Sequence, residues 1–143
     1  MSAVDALQAT LASEHAAVWT YAVLAARTSQ SAEPALFAAL SGAYREHRAR
    51  RDQAVWMIRD AGGEPVAAEP AYARPAAATA AERSASAAAL EERCSDAYAW
   101  QVAHTTHETR AWAIAALAWS ASQIVTLGGA AAPWPGAPEL TAS

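Results

Sequence analysis

The sequence predicts an all-α protein, a four-helix bundle in which two antiparallel helix hairpins are joined by a long crossover connection. Of its 143 residues 44 are alanine, the strongest helix former, whereas valine, isoleucine and phenylalanine are scarce. Apolar residues recur every three or four positions in four segments, as they do on one face of a helix. The connections between these segments are short, long and short in that order, which is typical of bundles with one crossover.

We place the helices at about residues 3–27, 32–61, 80–103 and 106–127, so that residues 1–127 form one bundle domain. A polar stretch from Thr28 to Ser31 ends the first helix. Ser31 is a candidate N-cap for the second helix, which begins near Pro34. Gly62 and Gly63 stop the second helix.

The long connection, residues 62–79, contains three prolines and is long enough to travel the length of the bundle. Thr79 with Glu82 forms a capping box that opens the third helix, and Thr105 with Glu108 forms a second one for the fourth helix. The turn between the third and fourth helices is therefore very short, which makes them antiparallel neighbours. Residues 128–143 are rich in proline and form an irregular tail.

Composition excludes several classes of function. The net charge of −4 gives no electrostatic basis for binding nucleic acid or an anionic membrane, and no apolar stretch is long enough to cross a bilayer. Cys94 is the only cysteine and the N-terminus lacks the features of a signal peptide, so we expect a cytoplasmic protein. No nucleophile-elbow motif and no glycine-rich phosphate loop is present, and we assign no catalytic residue.

Charged residues stand where the helical period calls for apolar ones. Glu14 falls within the apolar stripe of the first helix and His47 within that of the second, and antiparallel pairing brings them close together. The inward arcs also contain Arg51 and Arg110, and Glu91 lies at the edge of the third arc. Buried ionisable groups are costly unless they are paired or bound to metal, so these residues need partners.

Three stretches carry a family resemblance: residues 14–21 (Glu-His-Ala-Ala-Val-Trp-Thr-Tyr), residues 47–52 and the turn at residues 62–65. The whole chain resembles the ferritin-like superfamily and, within it, the alanine-rich ferritin-like domain of unknown function of high-GC, actinobacterial-type bacteria. The resemblance implies a four-helix bundle with a di-iron or di-manganese centre, built from one glutamate on each of two helices and a Glu-x-x-His pair on each of the others. Glu14 matches the first glutamate, and Glu91 can match that of the third helix.

The histidine-containing ligand pairs of such a centre are missing. Three residues after Glu46 stands Ala49, and three after Glu108 stands Ala111, so the chain contains no Glu-x-x-His pair. Inward arginines repel divalent cations, whereas a guanidinium can itself pair with a glutamate. We therefore expect no cofactor and a buried polar network of Glu14, His47, Arg51, Glu91 and Arg110.

The alternative is a metal centre. In that case the ligands are Glu14, His47 and Glu91, and the cofactor is iron or manganese. Cys94 lies on the core stripe with no activating base in view, and we interpret it as a small buried residue. His104 and His107 straddle a turn with no third ligand and are interpreted as incidental.

Tryptophans indicate an interface. Trp112 and Trp119 lie seven residues apart on the face of the fourth helix opposite its core arc, and Trp56 lies opposite His47. These three side chains form the candidate face of a homodimer, unless the crossover and the tail cover them.

Three functions are compatible with the sequence. The favoured one is a non-catalytic structural or partner-binding module, and the alternative is a metal-dependent oxidoreductase or iron-handling protein. The third is binding of a small molecule in a pocket near His47, Tyr21, Tyr44 and Tyr98.

Overall fold

The computed structural model describes residues 2–141, which form four α-helices and a short 3-10 helix. The helices are α1 (Ala3–Ala26), α2 (Pro34–Asp60), α3 (Ala80–His104) and α4 (His107–Thr126). Their ends lie within about two residues of the predicted positions. The 3-10 helix, Pro138–Thr141, lies in the tail, where irregular chain was predicted. Met1 of the predicted domain, and Ala142 and Ser143 of the predicted tail, lie outside the described residues.

The helix ends confirm one predicted cap and correct two others. Thr79 and Glu82 form the predicted capping box at the start of α3. Ser31 does not cap α2, because Glu33 occupies the N-cap position and its carboxylate pairs with Arg83 at 2.6 Å.

The second capping box that was predicted, at the start of α4, is not formed. Thr105 instead ends α3, and its hydroxyl donates to the carbonyl oxygen of Gln101 at 2.6 Å. Thr106 takes the N-cap position of α4 without a side-chain bond.

Helix α1 is antiparallel to both α2 and α3. Leu7, near the start of α1, shares an apolar cluster with Ile58, near the end of α2. Thr10 donates to Gln101 near the end of α3, whereas Tyr21 donates further back along α3. Because α2 and α3 are both antiparallel to α1, they are parallel to each other and require a long connection. Helices α3 and α4 are antiparallel neighbours. The predicted fold class, an all-α four-helix bundle, is confirmed.

The crossover reaches α3 by running along the outside of α1. Gln8 donates to the carbonyl of Glu64 and accepts from the amide of Val66, and further along Tyr72 lies 5.9 Å from the ring of Trp19. None of the helices within residues 2–141 is long and apolar enough to cross a bilayer.

Helices α2 and α4 do not approach each other as closely as the other neighbouring helices do, and large side chains fill the space between them. The indole of Trp112 donates to Gln53 at 2.7 Å, and the guanidinium of Arg50 lies 4.4 Å from the ring centre of Trp119. Contrary to the predicted placement, Trp112 and Trp119 are partly buried and turn toward α2, not away from the bundle. Trp56 is exposed over 73% of its surface, as expected of a residue opposite His47.

Candidate functional site

Three helices each bring one ionisable side chain to the centre of the bundle. Glu14 comes from the middle of α1, His47 from the middle of α2 and Glu91 from α3, and all three are 0% exposed. Apolar neighbours on the same helices, such as Leu11 and Leu40, form the surrounding core and hold the three positions away from water.

The ring of His47 lies between the two carboxylates. Its Nδ1 donates to Glu14 Oε2 at 2.7 Å, and its Nε2 donates to Glu91 Oε1 at 3.0 Å. The imidazole stacks on Tyr21 with ring centres 5.3 Å apart and meets the edge of Trp119 at 5.7 Å. One side chain of α2 thus joins α1 to α3.

The two carboxylates also accept hydrogen bonds from hydroxyl groups. The Tyr98 hydroxyl donates to Glu14 Oε1 at 2.5 Å, and the Tyr21 hydroxyl donates to Glu91 Oε1 at 2.5 Å. Ser120 of α4 donates to Glu91 Oε2. No polar side-chain atom of this cluster lacks a hydrogen-bond partner, which is the usual condition of buried polar groups.

The two acids determine the charge of the histidine. Burial alone would lower the pKa of His47, but hydrogen bonds to Glu14 and Glu91 raise it to about 9. Burial alone would raise the pKa of Glu91, but hydrogen bonds from His47 and Ser120 hold it below its usual value. At neutral pH the ring is therefore an imidazolium that donates from both nitrogens.

Arg50 supplies a second buried cation. Its side chain is 5% exposed, and Nη1 donates to the Tyr98 hydroxyl at 3.2 Å, one bond removed from Glu14. The guanidinium also packs on Trp119. The guanidinium also pairs through Nη2 with the partly exposed Glu46 at 3.2 Å. The imidazolium and the guanidinium together offset the charges of the two buried carboxylates, which reduces the cost of burying them.

The structure brings together three of the five predicted network residues, Glu14, His47 and Glu91, and places the two arginines elsewhere. Arg51 pairs with its neighbour Asp52 at 2.8 Å on the surface of α2. Arg110 is exposed near the start of α4. One residue of α2 corresponds to about 100°, so Arg50, and not Arg51, points toward the centre.

Sequence reasoning also missed Ser120. The buried residues of α4 are Ala113, Ala116, Ser120 and Ile124, whereas Ile114 of the predicted arc is 50% exposed. The spacing of these small residues by three or four positions was a signal for the correct face.

Two of the three tyrosines that were predicted to line a small-molecule pocket near His47 have hydroxyls that are already bonded within the protein. The hydroxyls of Tyr21 and Tyr98 are both used by the carboxylates of the cluster. Tyr44 is partly exposed, and Arg48 lies 5.7 Å from its ring centre.

The donor groups do not fit a di-iron or di-manganese centre. Such centres use four glutamates and two histidines, whereas here two glutamates and one histidine converge, together with the thiol of Cys94. The donor atoms of His47, Glu91 and Cys94 lie within 4.8 Å of one another. Cys94 is 0% exposed, as expected, and burial raises the pKa of its thiol.

The family model described as a domain of unknown function (DUF4439) matches residues 6–139. The chain belongs to this family. The DUF4439 chain is also similar to the crystal structure of a conserved hypothetical protein, rv2844, from Mycobacterium tuberculosis. The two share 28% sequence identity over 88% of this chain and 95% of that chain, with a TM-score of 0.79. No curated protein matches the chain.

The raised pKa of His47 predicts how the free energy of unfolding depends on pH. Because the pKa is raised from 6.5 to about 9, the stabilisation is complete below pH 6.5 and is lost as the pH rises through about 9. The loss amounts to about 3 kcal/mol, at 1.36 kcal/mol per pKa unit. Urea unfolding across this range should show a decline in the wild type and a flatter curve in His47→Gln.

The control for this experiment is His107→Asn, which removes an exposed histidine while asparagine tolerates the positive φ of 51° at that position. It should keep the wild-type pH dependence. Parallel curves for the wild type and His47→Gln would contradict the assignment of the buried imidazolium.

Two adjacent arginines provide a test of which one serves the cluster. Arg50→Met removes the bond to Tyr98, the ion pair with Glu46 and the packing on Trp119, and we expect it to lower the free energy of unfolding by about 2 kcal/mol. Arg51→Met removes a surface pair and should change it by less than about 0.5 kcal/mol. Equal losses in denaturant unfolding would show that the two side chains do not differ in this way.

Proposed function

We propose that this DUF4439 chain is a non-catalytic, ferritin-like helical module in which the hydrogen-bonded network of Glu14, His47 and Glu91 is a structural element. The observation that carries the proposal is that each polar atom of these three side chains has a protein partner in a fully buried cluster. Catalytic groups have to reach a substrate. These groups have no exposed surface and no free donor or acceptor.

The relation to ferritin-like proteins is supported by topology and by position. Two antiparallel helix hairpins joined by one long crossover form the arrangement of that superfamily. Glu14 and Glu91 lie at the centre of the bundle, where ferritin-like proteins hold metal ligands. In this chain the proton-bearing ring of His47 lies between the two carboxylates.

The network stabilises one particular arrangement of the helices. Glu14 of α1 accepts from His47 of α2 and from Tyr98 of α3, so a shift of either neighbour breaks a buried bond. A buried charge that loses its partner costs several kcal/mol. The network therefore selects this packing register of the helices over alternatives. Large apolar side chains could do the same by interlocking, but alanine-rich helices have few of them.

Two neighbouring glutamates test this function. Glu91→Gln leaves the imidazolium with a single carboxylate, and we expect a loss of about 3 kcal/mol or more in unfolding free energy. Glu92→Gln alters an exposed residue of the same helix and should change it by less than about 0.5 kcal/mol.

The alternative, a di-iron or di-manganese oxidoreductase, is tested on the same proteins. After anaerobic loading with Fe(II) and admission of oxygen, we expect the wild type to consume oxygen no faster than Glu91→Gln does. Two irons per wild-type chain with oxygen consumption that Glu91→Gln abolishes would overturn the non-catalytic proposal.

The predicted homodimer is retained as a proposal, with a changed surface. Trp56 is exposed and borders a cavity of about 540 Å³ between α2 and the start of α4, lined also by Met57, Leu7 and Trp112. An exposed tryptophan beside a cavity with both apolar and polar lining is a common feature of protein interfaces.

Light scattering tests the dimer. We expect the wild type to be a dimer and Trp56→Glu a monomer, because the buried charge is unfavourable at such a contact. Trp100→Glu places the same charge on α3, where the wild-type side chain is 42% exposed, and should leave the dimer intact. A monomeric wild type would rule the dimer out.

A further inference from the structure

We propose that the buried cluster also binds a single zinc ion, held by His47 Nε2, a carboxylate oxygen of Glu91 and Cys94 Sγ. The three side chains are 0% exposed, and their donor atoms lie within 4.8 Å of one another. Glu91 and Cys94 are three residues apart on α3 and thus share one face of the helix. His47 faces them from α2.

Each proposed ligand is held in place by a neighbour, and His47 Nε2 becomes available to the ion when its 3.0 Å bond to Glu91 Oε1 opens. Glu14 accepts from Nδ1 of His47, which is the arrangement that orients metal-binding histidines in proteins. Tyr21 and Ser120 donate to the carboxylate of Glu91.

The thiol of Cys94 is held in the same way. The Ser13 hydroxyl donates to Cys94 Sγ at 3.4 Å, so the sulfur already acts as an acceptor.

The geometry requires only small movements. In a tetrahedral zinc site with bonds of about 2.0–2.3 Å, the donor atoms are about 3.3–3.8 Å apart. His47 Nε2 and Glu91 Oε1, now 3.0 Å apart, have to separate slightly, and the donor atoms that lie up to 4.8 Å apart have to approach by about 1 Å, both of which side-chain rotations can supply. A second oxygen of Glu91 or a water completes the four positions that zinc prefers.

The charge of the cluster is the same before and after zinc enters. The ion brings two positive charges, while the Nε2 proton of the His47 imidazolium and the thiol proton of Cys94 leave to solvent. The guanidinium of Arg50 and the carboxylate of Glu14 keep their charges. Because two protons leave as two positive charges enter, the net charge of the cluster is unchanged and the exchange adds no uncompensated charge.

The ligand types favour zinc over iron or manganese. Thiolate, imidazole and carboxylate are all groups that bind zinc, whereas manganese and di-iron centres are rich in carboxylates and do not favour a thiolate. One histidine and one cysteine also limit the site to one ion.

The experiment uses the full chain, first stripped with a chelator and then loaded with Zn²⁺ or, as a spectroscopic probe, Co²⁺. Elemental analysis after desalting should give one zinc per chain in the wild type and none in Cys94→Ala. The cobalt protein should show the near-ultraviolet charge-transfer band of a cobalt–thiolate bond. Glu14→Gln, which changes only the group behind His47, should weaken zinc binding by about 10- to 100-fold.

Two controls distinguish zinc binding at this site from zinc binding at surface histidines, and loss of zinc binding from loss of the fold. His107→Asn removes a histidine of the surface His104 and His107 pair and should bind zinc as the wild type does. Far-UV circular dichroism of metal-free Cys94→Ala should match the wild type, since alanine replaces a small buried side chain. The Glu14→Gln protein provides a second test that keeps all three ligands.

Three results would overturn the zinc site: a wild type that retains no ion, equal retention by Cys94→Ala, or a cobalt spectrum without the thiolate band. The structural role of the network is measured separately, on metal-free protein. Failure of the zinc site therefore leaves that role to its own test.

Discussion

The imidazolium of His47, held between two carboxylates in a dry core, is the interaction on which the arrangement of three helices depends. Hydrophobic contact alone is tolerant of small shifts, because one apolar surface packs on another in several registers. The bonds to Glu14 and Glu91 are not tolerant, since each joins charges that have no water to replace a lost partner. The register of α1, α2 and α3 therefore depends on these charged groups, while the small alanine side chains allow the helices to pack closely together.

The uneven spacing of the helices follows from side-chain size. Small residues such as Ala17 and Ala87 are fully buried in the shared core and allow close packing around α1 and α3. The bundle is wider between α2 and α4, and the side chains of Trp119 and Arg50 fill that space. These two residues form the remaining wall of the charge cluster, so the tryptophan contributes to the site by excluding water. The same width leaves the cavity beside Trp56.

The sequence predicted the fold class, the helix limits and the meeting of Glu14 with His47, because these depend on periodicity and on turn residues. It could not choose between Arg50 and Arg51, since an arc of apolar residues on α2 defines a direction only to within one residue. On α4 the alanines made two faces nearly equivalent, and the packing of Ser120 against Glu91 resolved them. Thr105 was ambiguous for a related reason, because one threonine can end a helix or begin the next.

Charge, more than fold, determines what this bundle can hold at its centre. Two divalent ions bring four positive charges and Arg50 adds a fifth, whereas the negative charges nearby are the carboxylates of Glu14 and Glu91, a thiolate of Cys94 and Glu46, which pairs with Arg50. Such a centre leaves positive charge uncompensated in a buried site, which is costly. With a proton on His47 no positive charge is left uncompensated, and the same holds for one divalent ion that displaces two protons. A four-helix bundle with one long crossover can thus hold two carboxylates at its centre with a protonated histidine between them.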